Sequence, residues 1–251
     1  MVTKNELKRV ASLKQQKFRN ELGLFVVEGR KMVEELLRSD FETEALYATE
    51  SFIDKSPTPF TQAETVSETQ MEQMSGQDTP PGILATVRIP KERPISHDTR
   101  FVIALDGIAN PGNMGTIIRT AEWFGLHDIV CSTDCVETWN PKVVQATMGS
   151  LFRVNLVRTD LAAYLSEERK RNRAVYGALL EGENLFGMSE LQEGVIVIGS
   201  ESHGIRETVL PLVTRPITIP RLGGSATESL NASVAAAIIM AEMTISGCRR
   251  P

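Results

Sequence analysis

The chain reads as an α/β protein whose C-terminal part carries a parallel sheet with helices on both faces. Three observations predict it. Apolar runs without polar alternation, such as Phe101–Leu105 and Val195–Gly199, fit strands buried on both sides. From residue 101 onward such runs take turns with helical patterns, the sign of a parallel sheet. Several runs also open into loops of small and polar residues, at strand ends where open α/β sheets bind ligands.

The elements follow in order. Residues 1–20 pattern as a helix with Leu7, Val10, Leu13 and Phe18 on its apolar side. Leu24–Glu28 is a short strand ended by Gly29, and Lys31–Ser39 a helix turning Met32, Val33, Leu36 and Leu37 inward. Ala45–Ala48 is the next strand, Val66-Ser67 opens a helical stretch to Met74, and Pro80-Pro81-Gly82 turns into the strand Ile83–Val87. Pro90 to Asp98, with two prolines and four charged residues, reads as a linker, which predicts one domain over 1–93 and a second over 94–251. Beyond it come the strand Phe101–Leu105, a helix Thr116–Phe124 stopped by Gly125, the strand Asp128–Cys131 and a helix near Lys142–Met148. Strands at Val154–Val157, Ala174–Leu179, Val195–Gly199 and Arg215–Ile219, a helix at Leu161–Arg171 and a closing helix at Leu230–Ile245 complete the pattern. Right-handed crossovers are the default for such a sheet.

Composition narrows the function classes. Of 251 residues, 41% are hydrophobic and 24% charged, values of a soluble globular protein. No apolar run approaches the roughly 18 residues of a membrane span, and Met1–Arg9 lacks the apolar core of a secretory signal, so a cytoplasmic protein without membrane contact is expected. Three cysteines and the histidines His97, His127 and His203 offer no metal-ligand spacing, so no metal and reduced thiols are expected. The net charge of −5 argues against a polycation that coats nucleic acid. Its distribution is uneven: residues 1–31 hold eight Lys/Arg against three acids, and residues 32–98 five against thirteen. A positive N-terminal edge carrying Lys14, Lys17 and Arg19 suits a localised phosphate contact, or else a solvated helix face.

Three blocks concentrate the chemistry. In Asn110-Pro111-Gly112-Asn113-Met114-Gly115 the glycines let backbone approach a ligand, and Asn113 is a good helix N-cap. Arg119 follows on an otherwise apolar helix and needs a partner, either a phosphate or carboxylate, or a core acid such as Asp106 or Glu122. No Gly-x-Gly-x-x-Gly follows the strand, which disfavours a nucleotide-binding enzyme. In Val197-Ile198-Gly199-Ser200-Glu201-Ser202-His203-Gly204, Glu201 at a strand end is placed to take a hydroxyl, an amine or Arg119, or to start a helix. In the third block, Ile219-Pro220 leads through Gly223-Gly224-Ser225 to Glu228-Ser229-Leu230-Asn231 and an Ala-rich helix. Capping explains one of Ser229 and Asn231; it does not explain both.

Together these blocks resemble the three signature motifs of the SpoU/TrmH family of RNA ribose 2′-O-methyltransferases, within the knotted SPOUT superfamily. Asn113, Gly115 and Arg119 match its Asn-x-Gly-x-x-x-Arg, and Asn140–Val144, Met148–Arg153, the Gly-x-Glu-x-x-Gly block and Ser229-Leu230-Asn231 follow in order. Residues 12–30 resemble the small α/β RNA-substrate-binding domain that precedes the catalytic domain in many members. Two departures stand out: a longer third loop, and Ser202 where glycine is common. The resemblance implies a trefoil knot, S-adenosylmethionine as methyl donor, and a homodimer through the catalytic domain. It implies catalytic roles for Asn113, Arg119, Glu201, Ser229 and Asn231, and cofactor contacts at Leu180, Gly199, Ile219 and Leu230. RNA contacts would fall on Lys14, Lys17, Arg19 and Arg119, with ribosomal RNA favoured over transfer RNA. The alternative is an RNA-binding protein of the same fold that has lost catalysis.

Overall fold

The structure, a computed structural model, describes residues 2–57, 60, 62–96, 99–188, 191–223 and 227–248, without the side chains of 246–248. His97 and the loop residues Gly224 and Ser225 therefore lie outside the described residues. The chain divides into two compact units, one of Met1–Lys91 with Glu137–Arg153, the other of Glu92–Val136 with Val154–Pro251. The segment 137–153, which the sequence placed within the second domain, thus belongs with the first unit.

The first unit holds a four-stranded sheet in the order β1-β4-β2-β3, from β1 (Leu24–Glu28), β2 (Thr43–Thr49), β3 (Glu64–Val66) and β4 (Ile83–Arg88). Strand β4 pairs antiparallel with both β1 and β2, and β2 pairs parallel with β3. All five residues of β1 are buried, because alternate side chains serve opposite faces. Leu24 and Val26 join a core with Leu7, Val10 and Leu13 from the N-terminal helices and Met71 and Met74 from α5 (Glu68–Met74). Phe25 meets Trp139 at 4.7 Å and Phe41 at 6.3 Å between ring centroids.

The single N-terminal helix expected from the pattern is two helices, α1 (Lys4–Ser12) and α2 (Gln16–Leu22), broken where Leu13 caps the first. The break bears on Arg19. Instead of standing at the surface for RNA, Arg19 is buried, with its Nη1 donating to the Leu13 carbonyl at 2.8 Å and its Nε and Nη2 to the Glu137 carboxylate. Its donors are spent inside the fold, which corrects its assignment as a phosphate contact. Arg153 Nη1 adds a second tie to Glu35 Oε2 at 2.5 Å, beyond α7 (Pro141–Ala146). In α3 (Arg30–Leu37), Met32, Val33 and Leu36 are buried, but Leu37 is exposed rather than inward. The five-residue α4 (Glu50–Asp54) had no counterpart in the sequence reading.

The second unit is built on a six-stranded, wholly parallel sheet in the order β10-β8-β9-β5-β6-β7. Its strands are β5 (Phe101–Asp106), β6 (Asp128–Ser132), β7 (Asn155–Thr159), β8 (Ala174–Asn184), β9 (Gly194–Gly199) and β10 (Arg215–Thr218). The central β5 is buried along its whole length, as its unbroken apolar run requires. Its chain neighbours β6 and β7 extend the sheet one way, and β9, β8 and β10 the other, so the loops after β5 and β9 part company. That switch point is where a doubly wound sheet opens a crevice. Helix α8 (Leu161–Lys170) contributes Leu161 and Leu165 to a core with Val102, Ala104, Val195 and Val197. Helix α6 (Pro111–Trp123) packs against α9 (Ala232–Cys248). Strand β8 runs further than its apolar core: its pairing with β10 jumps from Gly177↔Pro216 to Glu183↔Ile217, so the residues between leave the ladder.

Removing one partner of a buried ion pair strands the other. Arg19→Ala is expected to destabilise the first unit by about 3–5 kcal/mol. The check is urea unfolding followed by Trp139 fluorescence in a Trp123→Phe background. Arg19→Met with Glu137→Leu should recover most of the loss, since a well-packed apolar pair replaces the charges.

Candidate functional site at the strand ends of the second unit

Three segments meet beyond the C-terminal ends of β5 and β9. The first is the start of α6, where Asn110, not Asn113, is the N-cap: its Oδ1 accepts from the backbone N–H of Gly112 at 2.8 Å and of Asn113 at 3.1 Å. Pro111 at the first helical position explains the shift, since proline is preorganised there and lacks the N–H that would go unpaired. Asn113 is thereby moved inside the first turn with its side-chain amide free for another task.

The second segment is the turn after β9. Ser200 and Gly204 exchange both backbone hydrogen bonds at 3.0 and 2.9 Å, closing a tight loop with Glu201, Ser202 and His203 at its tip. Gly199 has to be glycine, because a Cβ there would lie 2.2 Å from the Gly204 carbonyl carbon. The loop is pinned from below. Asp106, fully buried at the end of β5, accepts from the Arg206 backbone N–H at 2.8 Å and from Nε at 2.6 Å, while Arg206 Nη1 lies 3.1 Å from Asp134. Burial pushes the Arg206 guanidinium down and its bond to Asp106 pushes it up, with a net rise that keeps it charged.

The third segment is the start of α9. Asn231 Oδ1 accepts from the backbone N–H of Ser233 at 3.0 Å and of Val234 at 3.3 Å, capping the helix, and from Ser233 Oγ at 2.7 Å. Its amide nitrogen faces the other two segments.

Glu201 joins them. Its Oε1 accepts from Asn113 Nδ2 at 2.8 Å, from Asn231 Nδ2, and from the Ala232 backbone N–H at 3.4 Å, while Asn231 Nδ2 also approaches Asn113 Oδ1 at 3.1 Å. A carboxylate with several donors on one oxygen is held in place and its charge is spread. Beside it opens a cavity of about 170 Å³ lined by Gly107, Ile108, Asn113, Glu201, Ser202 and Ala232, among others. That is smaller than the roughly 300–1,000 Å³ of most small-molecule sites. It has room for a sugar-sized group among amides and one carboxylate.

The other residues singled out from sequence stand outside this cluster. Arg119 is exposed and makes no hydrogen bond or ion pair with the described residues; Asp106, one of its candidate partners, is taken by Arg206. Six residues past Asn113 on α6, it is turned about 120° around the helix and about 9 Å along it. Ser229 is exposed, without a hydrogen bond to the described residues, and Leu230 is 46% exposed. Leu180 lies in the part of β8 that leaves the ladder and is 74% exposed; its carbonyl accepts from Thr218 Oγ1 at 3.0 Å, next to half-buried Ile219. Nearby in sequence, Leu222 is 86% exposed, and Arg221 Nη2 bonds the Glu228 carbonyl at 2.7 Å across the third loop. Uncovered leucines beside backbone carbonyls and amides suit a ligand with a flat apolar ring and hydrogen-bonding edges, as adenine is.

Sequence reading offered Asp106 only as a partner for Arg119, gave Asn110 no capping role, and passed over Arg206. For Asn110 a signal was present in the proline that follows it. Asp106 and Arg206 lie 100 residues apart, and nothing local connects them. In the first unit, Lys14 Nζ reaches the Gln73 carbonyl at 3.2 Å and Lys17 lies 5.8 Å from the centre of the Phe18 ring; both are exposed. Cys131 and Cys135 are free and buried. Among the described residues no cluster of three or more His, Cys, Asp or Glu side chains is placed to hold a metal ion, and no helix is long and apolar enough to cross a membrane.

Both parts of the chain resemble known proteins. Residues 100–241 match the SpoU rRNA Methylase family, and residues 4–85 match the MRM3-like substrate binding domain. The chain is 30% identical over 227 residues to the 23S rRNA (guanosine(2553)-2′-O)-methyltransferase RlmP of Bacillus subtilis, covering 90% of each chain. A solved structure of a TrmH-family protein from Porphyromonas gingivalis superposes with a TM-score of 0.87 at 34% identity, over 98% of this chain and 99% of the other. An S-adenosylmethionine-bound rRNA methyltransferase from Sinorhizobium meliloti shares the fold, with a TM-score of 0.84 at 24% identity over 98% and 96% of the two chains. With its α/β fold, its N-terminal substrate-binding domain and its parallel-sheet unit, the chain belongs to the SpoU rRNA methylase family.

Proposed function

We propose that this protein methylates a ribose 2′-hydroxyl in ribosomal RNA, with S-adenosylmethionine as the donor. The observation that carries the reading is the meeting of Asn113, Glu201 and Asn231 beside a sugar-sized cavity. The bound cofactor supplies a methyl group on a sulfonium, already a good leaving group, so no metal is needed. The protein's task is to place the hydroxyl in line, and such positioning is worth roughly 7–11 kcal/mol.

In this reading Asn113 and Asn231, braced by Glu201, hold the geometry at the cavity wall, with Ser229 at the loop that borders it. Leu180, Gly199, Ile219 and Leu230 meet the cofactor through apolar side chains and backbone. Arg119 binds the phosphate beside the target ribose and stabilises charge developing on the oxygen. Lys14 and Lys17 guide the RNA. A looped or single-stranded target fits best, because a stacked helix holds its 2′-hydroxyl out of line. That the Bacillus subtilis relative is a 23S rRNA methyltransferase favours ribosomal over transfer RNA. A cytoplasmic enzyme, a knotted path through the second unit and a homodimer through it belong to the same reading. Trp123, 82% exposed one turn beyond Arg119 on α6, and Val234 and Ile245, exposed on α9, supply apolar surface for a second copy.

Ribosomal RNA from a strain lacking the protein should miss one or more ribose methyl groups, and purified protein with the methyl donor should restore them. RNA that keeps all its methyl groups after deletion would count against the reading. In single-turnover assays Arg119→Ala should slow transfer by about 100- to 1,000-fold, the range for loss of a donor to a developing oxyanion. Arg119→Lys should keep more RNA affinity than Arg119→Ala; a lysine variant that titrates as a working base would contradict the phosphate role. Light scattering should give twice the chain mass, and a monomer would remove the dimer from the proposal.

A further inference from the structure

Behind the cavity segment that follows β5 stands a turn that belongs to none of the three sequence blocks. Strand β6 ends at Ser132 and turns at once, the Cys135 N–H donating to the Ser132 carbonyl at 3.2 Å. Three bonds tie this turn to the cavity segment. The buried Ser132 Oγ accepts from the Gly107 N–H at 2.9 Å, Cys135 Sγ donates to the Leu105 carbonyl at 3.3 Å, and the Val136 N–H donates to the Ile108 carbonyl at 2.9 Å. Gly107 and Ile108 both line the cavity. Asp134 is packed so near that a Cβ on Gly107 would lie 3.3 Å from its Oδ2. Desolvation pushes the Asp134 carboxyl up, but the Ser132 hydroxyl, its own backbone N–H and Arg206 hold it below its usual range, as a carboxylate. The turn is held in its place from β7, where Arg158 Nη2 donates to the Thr133 carbonyl and to the Cys135 carbonyl, the latter at 2.7 Å.

We propose that the turn after β6 is a positioning element for methyl transfer, with Ser132 and Asp134 as its positioning residues. This rests on the methyl-transfer reading above. Neither side chain lines the cavity, so each acts through another residue. Ser132 holds the backbone of Gly107, and with it the wall on the β5 side. Asp134 carries that hold to the other wall. It takes the Ser132 hydroxyl on one side and Arg206 Nη1 at 3.1 Å on the other, and Arg206 binds Asp106 beneath the turn that bears Glu201. The loops after β5, β6 and β9 thus form one connected frame, and the spacing across the cavity is set from behind it. A displacement of about 1 Å in such a frame can cost about 100-fold in rate, because in-line attack tolerates little misplacement.

The test uses the whole chain, ribosomal RNA from the deletion strain and a tritiated methyl donor. Asp134→Ala and Ser132→Ala should each slow transfer at saturating RNA and donor by about 10- to 100-fold, up to the cost of a 1 Å misplacement. The loss should fall on kcat, with KM for RNA and S-adenosylhomocysteine binding by calorimetry within about twofold of wild type. Asp134→Asn keeps an acceptor for Ser132 and Arg206 and should recover much of the rate. The double variant should be little slower than either single one, because both side chains hold one frame. Asp128→Ala is the control for a merely structural effect. It removes the acceptor for Thr99 Oγ1 and Asn155 Nδ2 at the opposite end of β6, and should lower the thermal midpoint without slowing transfer. If Ser132→Ala does not fold, the half-exposed Asp134 carries the test alone. The inference is overturned if Asp134→Ala reacts at the wild-type rate, if its loss lies in RNA affinity, if Asp134→Asn is no faster than the alanine variant, or if Asp128→Ala slows transfer as much. A wild type that transfers no methyl group would refute the methyltransferase reading, and this inference would fall with it.

Discussion

One carboxylate oxygen organises the site. Glu201 Oε1 receives donors from α6 and α9 while sitting on the turn after β9, so three chain segments 118 residues apart at their widest share one acceptor. An exposed carboxylate in water would gain little from any one of these bonds. Here it gains from all of them at once, and the cost of ordering is met by groups the fold has already fixed. Asn113 stands in the first turn of a helix capped by another asparagine, Asn231 is itself a cap, and Glu201 stands on a loop that Arg206 clamps to the end of β5. Each donor arrives preset, which is what a site that must place a hydroxyl accurately requires.

The sheet explains why this meeting falls where it does. In a parallel sheet every strand delivers its following loop to the same edge, and at the switch point two neighbouring strands send their loops in opposite directions. Strands β5 and β9 are those neighbours, paired from Phe101↔Gly194 to Asp106↔Gly199. The glycines of the loops answer to crowding at Gly199 and to backbone conformation at Gly107 and Gly204. Gly199 backs directly onto the backbone of Gly204, and Gly107 and Gly204 take positive φ values of 70° and 66° that favour glycine.

Much of this was legible in the sequence, and what was not has a physical reason. The apolar runs of β5 and β9 announce strands covered on both sides, and the three loops can be read directly as small-residue segments at strand ends. Local pattern fails where the deciding partner is remote. Arg19 looked like part of a basic edge, and nothing near it reveals Glu137, 118 residues on, which draws it inside. The same remoteness hid the return of residues 137–153 to the first unit, where Trp139 packs on Phe25 and Phe152 on Phe41. Asn113 looked like a helix cap by residue type; the proline two positions earlier was the better guide, because it fixes the helix start at Asn110. The five-residue α4 is too short for periodicity to register.

Three arginines of this chain show how context assigns a single chemistry to different work. Arg19 and Arg206 are each matched by acids within the fold, Glu137 for one and Asp106 with Asp134 for the other, and both serve as internal ties. Each satisfies a buried or half-buried carboxylate that would otherwise be stranded, so neither is available to a ligand. Arg119 lies on the exposed side of a helix whose buried residues are apolar, and no acid among the described residues pairs with it. A guanidinium on that exposed side is not needed for packing. What would justify its place is an anion from outside the chain's own fold, presented on the same face as an indole that is also uncovered. That is the physical ground for assigning Arg119, rather than either of the other two, to a phosphate.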